Sequence, residues 1–243
     1  MMAPDTPARV GQTVASHTSD SALLAALQLG DSLFPSGGFT LSHGLETLAE
    51  RRLVHDARTL QAWLETSVRW QVGPTDAVAA AAVWSAGDHL DLVAQIDRRL
   101  LATKLAREPR RASERTGRQT LATLTAIAGG TLAGYRRTVL GGQAPGLYPV
   151  VVGVAGRQLG LGQRQTVLLL LHLHVAGCLG AALRLLDVDD VETQQIRFAL
   201  TPVLSAAANE ALAVPWKEMY ACAVHTELMT MLHETAITRL FAS

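Results

Sequence analysis

Residues 163–186, QRQTVLLLLHLHVAGCLGAALRLL, contain the most membrane-like stretch of this chain of 243 residues, which runs from Val167 to Leu186. A helix that spans a membrane needs roughly 20 apolar residues and rarely contains ionisable groups, because burying them in lipid is costly. Here His172, His174 and Arg184 interrupt the apolar run, and Arg164 lies just before Val167, where it begins. The stretch therefore predicts a buried helix at the core of a soluble protein, without a membrane partner.

The composition of the whole chain favours helices. Hydrophobic residues make up 49% and aromatic residues only 5%, and the apolar part is rich in Ala and Leu, which lose little side-chain freedom in a helix. The net charge of +0 argues against nucleic-acid binding. Two cysteines make no disulfide framework, and residues 1–20 contain no apolar secretory segment, so we expect a cytoplasmic protein.

Apolar periodicity, caps and breakers predict an all-α, single-domain bundle of about ten helices. Asp20 or Ser21 is the expected first N-cap, Asp56 caps another helix, and the Gly73-Pro74 pair is expected to stop it. We expect a disordered tail over residues 1–20, the helical domain over 21–233, and a tail over 234–243. The predicted helices cover residues 22–29, 43–51, 57–72, 75–86, 88–106, 110–128, 131–140, 148–159, 163–186, 189–200, 203–214 and 217–233.

An elbow rich in glycine follows the first predicted helix. Gly37 and Gly38 permit backbone conformations that other residues rarely adopt, and Phe34 and Phe39 can anchor the segment by burial. A purely structural connection between two helices is one interpretation. The elbow is no phosphate loop, since no Lys-Ser or Lys-Thr pair follows the glycines. The chain also has no nucleophile-elbow sequence and no evident pair of acid and base carboxylates, so we do not expect an enzyme.

Metal-binding side chains share a helix face at spacings of three or four residues. His174 and Cys178 have this spacing, whereas His172 and His174 point to different faces. A second stripe on the predicted last helix consists of Glu218, Cys222 and His225. Hydrogen-bonded, partly buried side chains are the simpler interpretation of both sets. We therefore expect no resident metal and no cofactor.

Two segments, one basic and one at the C-terminus, each allow two interpretations. The basic run between residues 98 and 118 is either a solvated helix surface or a docking surface for an acidic partner. The C-terminus ends in Leu240 and Phe241, which dock either on the chain itself or on a partner protein. A tail that orders on binding would lose chain entropy and regain free energy through burial of these two side chains.

Three segments together resemble the UreF family of urease accessory proteins. The family's early segment reads approximately LPxGGFSxSxGLE, and residues 34–46 read FPSGGFTLSHGLE. The family ends approximately in HETxxxRLFxS, and residues 233–243 read HETAITRLFAS. A middle segment that often contains RETR and a later Gly is similar to residues 107–110, REPR, with Gly117. These segments occur in order, so the resemblance covers residues 21–243.

The resemblance implies a helical protein that forms a homodimer and binds a UreD/UreH-type accessory protein. That complex recruits a UreG-type GTPase and apo-urease, and nickel reaches urease as GTP is hydrolysed by the GTPase. The tail resembles the segment that becomes ordered against the UreD/UreH-type partner. The expected partner-binding residues are His233, Glu234, Arg239, Leu240, Phe241, Ser243, Gly37, Gly38, Phe39 and Glu46. The alternative is a protein that carries nickel itself through the Glu218, Cys222 and His225 stripe.

Three departures from the family pattern put local contacts in question. Pro109 replaces a polar residue of the middle segment, and Leu41 stands where an aromatic residue is common. Residues 187–190, DVDD, replace a frequent Pro-Leu-Gly-Gln segment.

Overall fold

The computed structural model describes residues 19–234 and 240–242, apart from the side chain of Phe39. Within these ranges the regular structure is helical, without a strand, and the predicted all-α single-domain bundle is confirmed. The α-helices are α1 (Asp20–Gly30), α2 (Leu45–Glu50), α3 (Ala57–Ser67), α4 (Val78–Ala86), α5 (Leu90–Thr103), α6 (Arg107–Ala128), α7 (Gly130–Leu140), α8 (Tyr148–Gln158), α9 (Gln163–Leu185), α10 (Asp190–Ala199), α11 (Thr201–Ala213) and α12 (Val224–His233). The predicted tail over residues 1–20 falls almost wholly outside the described residues and stays a prediction.

Helix α9 lies at the centre of the bundle, where it packs against α4, α8 and α11. Leu171, Val175 and Leu179 are buried on one side of it. Helix α9 is long and apolar enough to cross a membrane, but half of its most apolar window is buried by the rest of the chain. This packing agrees with the predicted core helix of a soluble protein.

Side-chain caps fix several helix starts. The Asp56 carboxylate accepts the Thr59 N–H at 2.7 Å in a capping box, so the predicted cap of α3 is confirmed. Asp189, in the segment that departs from the family pattern, caps α10 by accepting the Glu192 N–H at 2.8 Å. The predicted first cap was wrong by one residue: Ser19 has the extended backbone that a cap needs, whereas Asp20 is already helical.

The Gly73-Pro74 pair does not stop the third helix as predicted. Residues Val68–Ala77 form a π-helical segment that joins α3 to α4 without a break. The wider turn brings Gly73 so close to Val68 that a β-carbon would lie 2.5 Å from the Val68 carbonyl oxygen. Pro74 has no N–H for the Trp70 carbonyl, which would be its partner in an α-helix. The Cys222 N–H binds that carbonyl instead, at 2.8 Å.

The predicted last helix is shorter than expected, because the residues at its predicted start pair with the π-helical segment. Trp216–Glu218 is a 3₁₀ turn, residues 219–223 are non-helical, and only Val224–His233 is an α-helix. The N–H groups of Tyr220 and Cys222 bind carbonyls of the π-helical segment, so they are not available for helical hydrogen bonds. Glu218 and Cys222 therefore lie outside α12, and the predicted stripe with His225 does not form.

The loop of residues 141–146 is anchored to the bundle at its end, as expected for a single domain. The buried Asp97 carboxylate accepts the Tyr135 hydroxyl at 2.5 Å and the N–H groups of Gly146 at 2.7 Å and Leu147 at 3.2 Å. Burial raises the pKa of Asp97 despite these three hydrogen bonds, which favour the charged form.

Most of the basic run is engaged within the chain. Lys104 pairs with Asp76 at 2.7 Å, and Arg99 donates to the carbonyls of Lys217 and Met219. Arg110 likewise donates to the Lys104 carbonyl, at 2.8 Å. These contacts join separate segments of the bundle, while Arg99 stays exposed and Lys104 and Arg110 are partly buried.

Candidate functional site

The three segments that carry the family resemblance meet around one buried imidazole. His233, the last residue of α12, lies with its Nε2 2.9 Å from a carboxylate oxygen of Glu46 in α2. Its Nδ1 lies 2.6 Å from a carboxylate oxygen of Glu108 in α6. Only 1% of His233 and 3% of Glu46 is exposed to solvent. We call Glu46, Glu108 and His233 the buried triad.

Glu46 connects the triad to the C-terminus. Its carboxylate accepts the N–H of Leu240 at 2.7 Å and the N–H of Phe241 at 3.1 Å, in addition to the His233 bond. The Ala242 N–H donates to the Thr40 carbonyl at 2.9 Å, so the C-terminal residues also pair with the elbow. Buried carboxylates are stable only when their oxygens are bonded in this way. Residues 240–242 therefore dock on their own chain in this structure.

Glu234 forms a second link between the C-terminal segment and α6. The first N–H groups of a helix have no partner within it, and Ala106 at the N-cap supplies no side-chain acceptor. The Glu234 carboxylate accepts two of them, from Arg107 at 2.6 Å and Glu108 at 3.1 Å. A negative charge at a helix N-terminus is also favoured by the helix dipole. Pro109 falls in this first turn, where its missing N–H costs little, so this departure leaves the site intact.

The two apolar residues of the tail have opposite exposures. Phe241 is only 3% exposed, and the guanidinium of Arg184 from α9 lies 4.2 Å from its ring centroid. Leu240, by contrast, is 78% exposed. The tail thus buries its aromatic ring in the bundle and presents its leucine to solvent.

The triad places the His233 imidazole between two carboxylates, which favour its charged form. Burial alone would lower the pKa of His233, but hydrogen bonds to Glu108 and Glu46 raise it above the ordinary value. Burial alone would raise the pKa of Glu46, but the Leu240 N–H, the His233 imidazole and the Phe241 N–H lower it. Both ring nitrogens are occupied, so the arrangement suits a structural clamp and not proton exchange with a substrate.

These shifts predict how docking of the C-terminus depends on pH. A raised histidine pKa stabilises the folded state below about pH 6.5, and this contribution is lost as the pH rises through the raised value. A lowered glutamate pKa contributes above about pH 4.5 and is lost in acid. We expect the Leu240 and Phe241 amides to exchange hydrogen severalfold faster near pH 9 than near pH 6, after correction for intrinsic rates.

The control for this experiment is His233→Gln, which should remove the alkaline dependence because glutamine does not titrate. Amides inside α8 should show no matching change in the wild-type chain. Equal protection of Leu240 and Phe241 at both pH values would contradict the role of the triad.

The structure places the predicted partner-binding residues in two groups. His233, Glu46 and Phe241 are buried within the chain, whereas Leu240 and Gly37 are exposed. Gly37 adopts φ +75° and begins the 3₁₀ turn Gly38–Thr40, whose last residue accepts the tail. Arg239, Ser243 and the side chain of Phe39 lie outside the described residues. Sequence reasoning missed Glu108 and Arg184, although Glu108 belongs to the middle segment of the resemblance.

A second group of functional side chains lies between the elbow and α9. One potential ligand atom from each of His43, His174 and Cys178 lies within 4.8 Å of the others. The predicted sharing of a helix face is confirmed by the Sγ of Cys178, which is 3.8 Å from Nε2 of His174. Burial, with a smaller contribution from Lys104, lowers the pKa of His43 to about 4, and burial raises the pKa of the Cys178 thiol. Burial, and to a smaller extent His43 and Lys104, lower the pKa of His174 as well, so both imidazoles favour the neutral form.

Comparison with known proteins identifies relatives of this chain. A family model described as UreF matches residues 54–201. The urease accessory protein UreF of Trichodesmium erythraeum is 32% identical over 227 residues, covering 90% of this chain and 96% of that protein. The protein of the same name from Cereibacter sphaeroides is 30% identical over 220 residues, with 90% and 98% covered. That of Photorhabdus laumondii is 28% identical over 224 residues, with 91% and 98% covered.

Proposed function

Since this chain belongs to the UreF family of urease accessory proteins, we propose that it is a non-catalytic scaffold for nickel insertion into urease. In this role it binds a UreD/UreH-type accessory protein, and the complex recruits a UreG-type GTPase to apo-urease. The observation that carries the proposal is the convergence of the three family segments on the buried triad, which fixes the C-terminus on the surface of the bundle.

An exposed apolar face of α12, the helix that leads into the C-terminal segment, supports partner binding there. Val224, Leu228, Met231 and Leu232 lie at helical spacing on α12, and each is at least 39% exposed. Leu240 adds to the exposed leucines of the C-terminal region. Apolar residues that share an exposed helix face are typical of protein interaction sites. We call these five residues the C-terminal apolar surface and assign it to the UreD/UreH-type partner.

The buried members of the predicted site act on this surface from within. Glu46 and His233 have too little exposure for direct contact, so their role is to hold the tail in one position before the partner arrives. Pre-ordering of the tail lowers the entropy lost on binding, which increases affinity without a new contact. The triad is thus proposed to position the interface, and Leu240 to contact the partner.

The remaining parts of the proposal follow the family. The chain acts in the cytoplasm, forms a homodimer, and leaves GTP hydrolysis to the UreG-type partner. Exposed leucines on α1, Leu23, Leu24 and Leu27, provide a second apolar surface on which a second copy can dock. The alternative role of a nickel carrier loses the ligand set first considered for it, since Glu218, Cys222 and His225 do not share a helix.

Coexpression with the UreD/UreH-type partner tests the scaffold function. We expect the full chain to form a defined complex in size-exclusion chromatography with light scattering, and a truncation after Glu234 to form none. Leu240→Asp should weaken capture by about 2 kcal/mol, because it places a charge in an apolar interface while the backbone N–H of residue 240 can still bind Glu46. Leu140→Asp is the matched control, since Leu140 is 71% exposed on α7 and lies outside the C-terminal apolar surface.

One outcome of this experiment tests the assigned surface, and another tests the scaffold function. Unchanged capture with both Leu240→Asp and the truncation would disprove the assigned surface. A folded full chain that forms no complex with either the UreD/UreH-type protein or the UreG-type GTPase would disprove the scaffold function itself.

A further inference from the structure

The cluster of His43, His174 and Cys178 joins the elbow to the centre of the bundle. Cys178 is fully buried in α9, and His174 lies one helical turn before it. His43 lies just before α2 with φ +54°, a backbone conformation that is uncommon for residues other than glycine. This conformation accompanies an edge-to-face approach to His174, with ring centroids 4.8 Å apart. Three soft or borderline metal ligands thus meet from two separate parts of the sequence.

The spacing of the three ligand atoms suits a metal ion. Metal–nitrogen bonds of about 2.0 Å and metal–sulfur bonds of about 2.3 Å place the ligand atoms of two imidazoles and one thiolate about 3.3–3.6 Å apart in tetrahedral geometry. The 3.8 Å between Cys178 Sγ and His174 Nε2 is only slightly longer than this spacing. The largest separation in the cluster is 4.8 Å. A small movement of His43 in the elbow would therefore bring all three ligand atoms within bonding distance of one metal ion.

The surroundings of the cluster hold a neutral hydroxyl and a paired cation. The Ser67 hydroxyl lies 3.0 Å from His174 Nε2, on the atom that would face the metal. Lys104 is the nearby cation, and it is neutralised by Asp76 at 2.7 Å. A divalent ion with one thiolate and two neutral imidazoles leaves a charge of about +1, which a buried site tolerates far better than a bare ion.

We propose that His43, His174 and Cys178 form an internal binding site for a divalent metal ion of borderline softness, the class that includes Zn²⁺ and Ni²⁺. Binding forms a metal–sulfur bond and releases the thiol proton of Cys178 to solvent. Each imidazole binds through the lone pair of one nitrogen, and His174 Nε2 gives up its hydrogen bond with Ser67 to do so. Since the ligands come from the elbow and α9, a bound ion would tie the elbow to the core of the bundle. This inference is independent of the proposed scaffold function, because it concerns the isolated chain.

Titration of the tag-free, metal-free full chain tests the site. We expect one equivalent of Co²⁺ or Ni²⁺ to produce thiolate-to-metal charge-transfer absorption in the near ultraviolet, and Zn²⁺ to remove the Co²⁺ signal by competition. Cys178→Ser should abolish the band, and His174→Gln should weaken binding at least about a hundredfold. His43→Gln, in the partly exposed elbow, provides a variant that disturbs the core less and should also weaken binding.

Two control variants test whether the signal is specific to the proposed ligands. Cys222→Ser and His225→Ala alter an exposed cysteine and an exposed histidine, and both should leave the band and its stoichiometry unchanged. Circular dichroism of each metal-free variant establishes that it is folded. Absence of a charge-transfer band in the wild-type chain, its persistence in Cys178→Ser, or its loss in Cys222→Ser would overturn the proposal.

Discussion

Replacing Glu46 with alanine should release the C-terminal residues from the bundle while the helices stay folded. The change removes the acceptor of the Leu240 and Phe241 N–H groups and one of two carboxylates that neutralise the buried His233. Removing one partner of a buried ion pair costs about 3–5 kcal/mol, which is enough to undo docking of a short tail. Because the tail can detach, the free energy of unfolding of the whole chain should fall by less than this amount.

Hydrogen exchange at Leu240 and Phe241 measures the release directly, and capture of the UreD/UreH-type partner measures its consequence. Glu50→Ala is the matched control, since Glu50 lies one turn later in the same helix and is exposed. Full protection of the tail amides in Glu46→Ala would show that the carboxylate does not hold the tail. Loss of partner capture by this buried substitution would support positioning of the interface from within.

Replacing Gly117 with alanine should destabilise the bundle strongly, because the added methyl group has no space. A β-carbon at Gly117 would lie 2.1 Å from the Gly146 carbonyl oxygen and 2.6 Å from the Tyr148 nitrogen. Neither backbone atom can move freely, because Asp97 binds the neighbouring N–H groups of Gly146 and Leu147. We expect a loss of about 3 kcal/mol in the free energy of unfolding, the upper range for overpacking.

Gly180→Ala is the control for helix propensity. Gly180 lies inside α9, and nothing lies within 4 Å of the position a β-carbon would take. There the substitution should be neutral or stabilise the chain by about 0.5–1 kcal/mol, because alanine loses less backbone entropy in a helix. Urea denaturation of the two variants compares them, and similar stabilities would disprove the close approach at Gly117.

Most helix boundaries depend on nearby residues and could be predicted, whereas the end of α3 and the start of α12 could not. The Asp56 cap and the core face of α9 depend on residues a few positions apart, which the sequence displays directly. Gly73-Pro74 and residues 219–223 were misjudged because each depends on the other. The Trp70 and Pro74 carbonyls receive N–H groups from a segment about 150 positions away, and no local pattern reveals that exchange.

The residues of the candidate site were likewise predictable only in part. The sequence identified Glu46 and His233 individually, through segments whose residue types and order resemble one family. It did not pair them, nor did it select Glu108, because the contacts join positions 187 and 125 apart. It also gave Leu240 and Phe241 the same role, whereas the bundle buries one and exposes the other.

By itself, then, the sequence determined a helical protein with a central apolar helix, capped helix starts and a family relationship, because these depend on composition and short-range spacing. Only the tertiary structure decided that three distant segments share one imidazole and that the tail docks on its own chain. It also brought His43 to His174 and Cys178. Such contacts arise when helices pack, and packing is set by the shape of whole helix faces and not by any single segment.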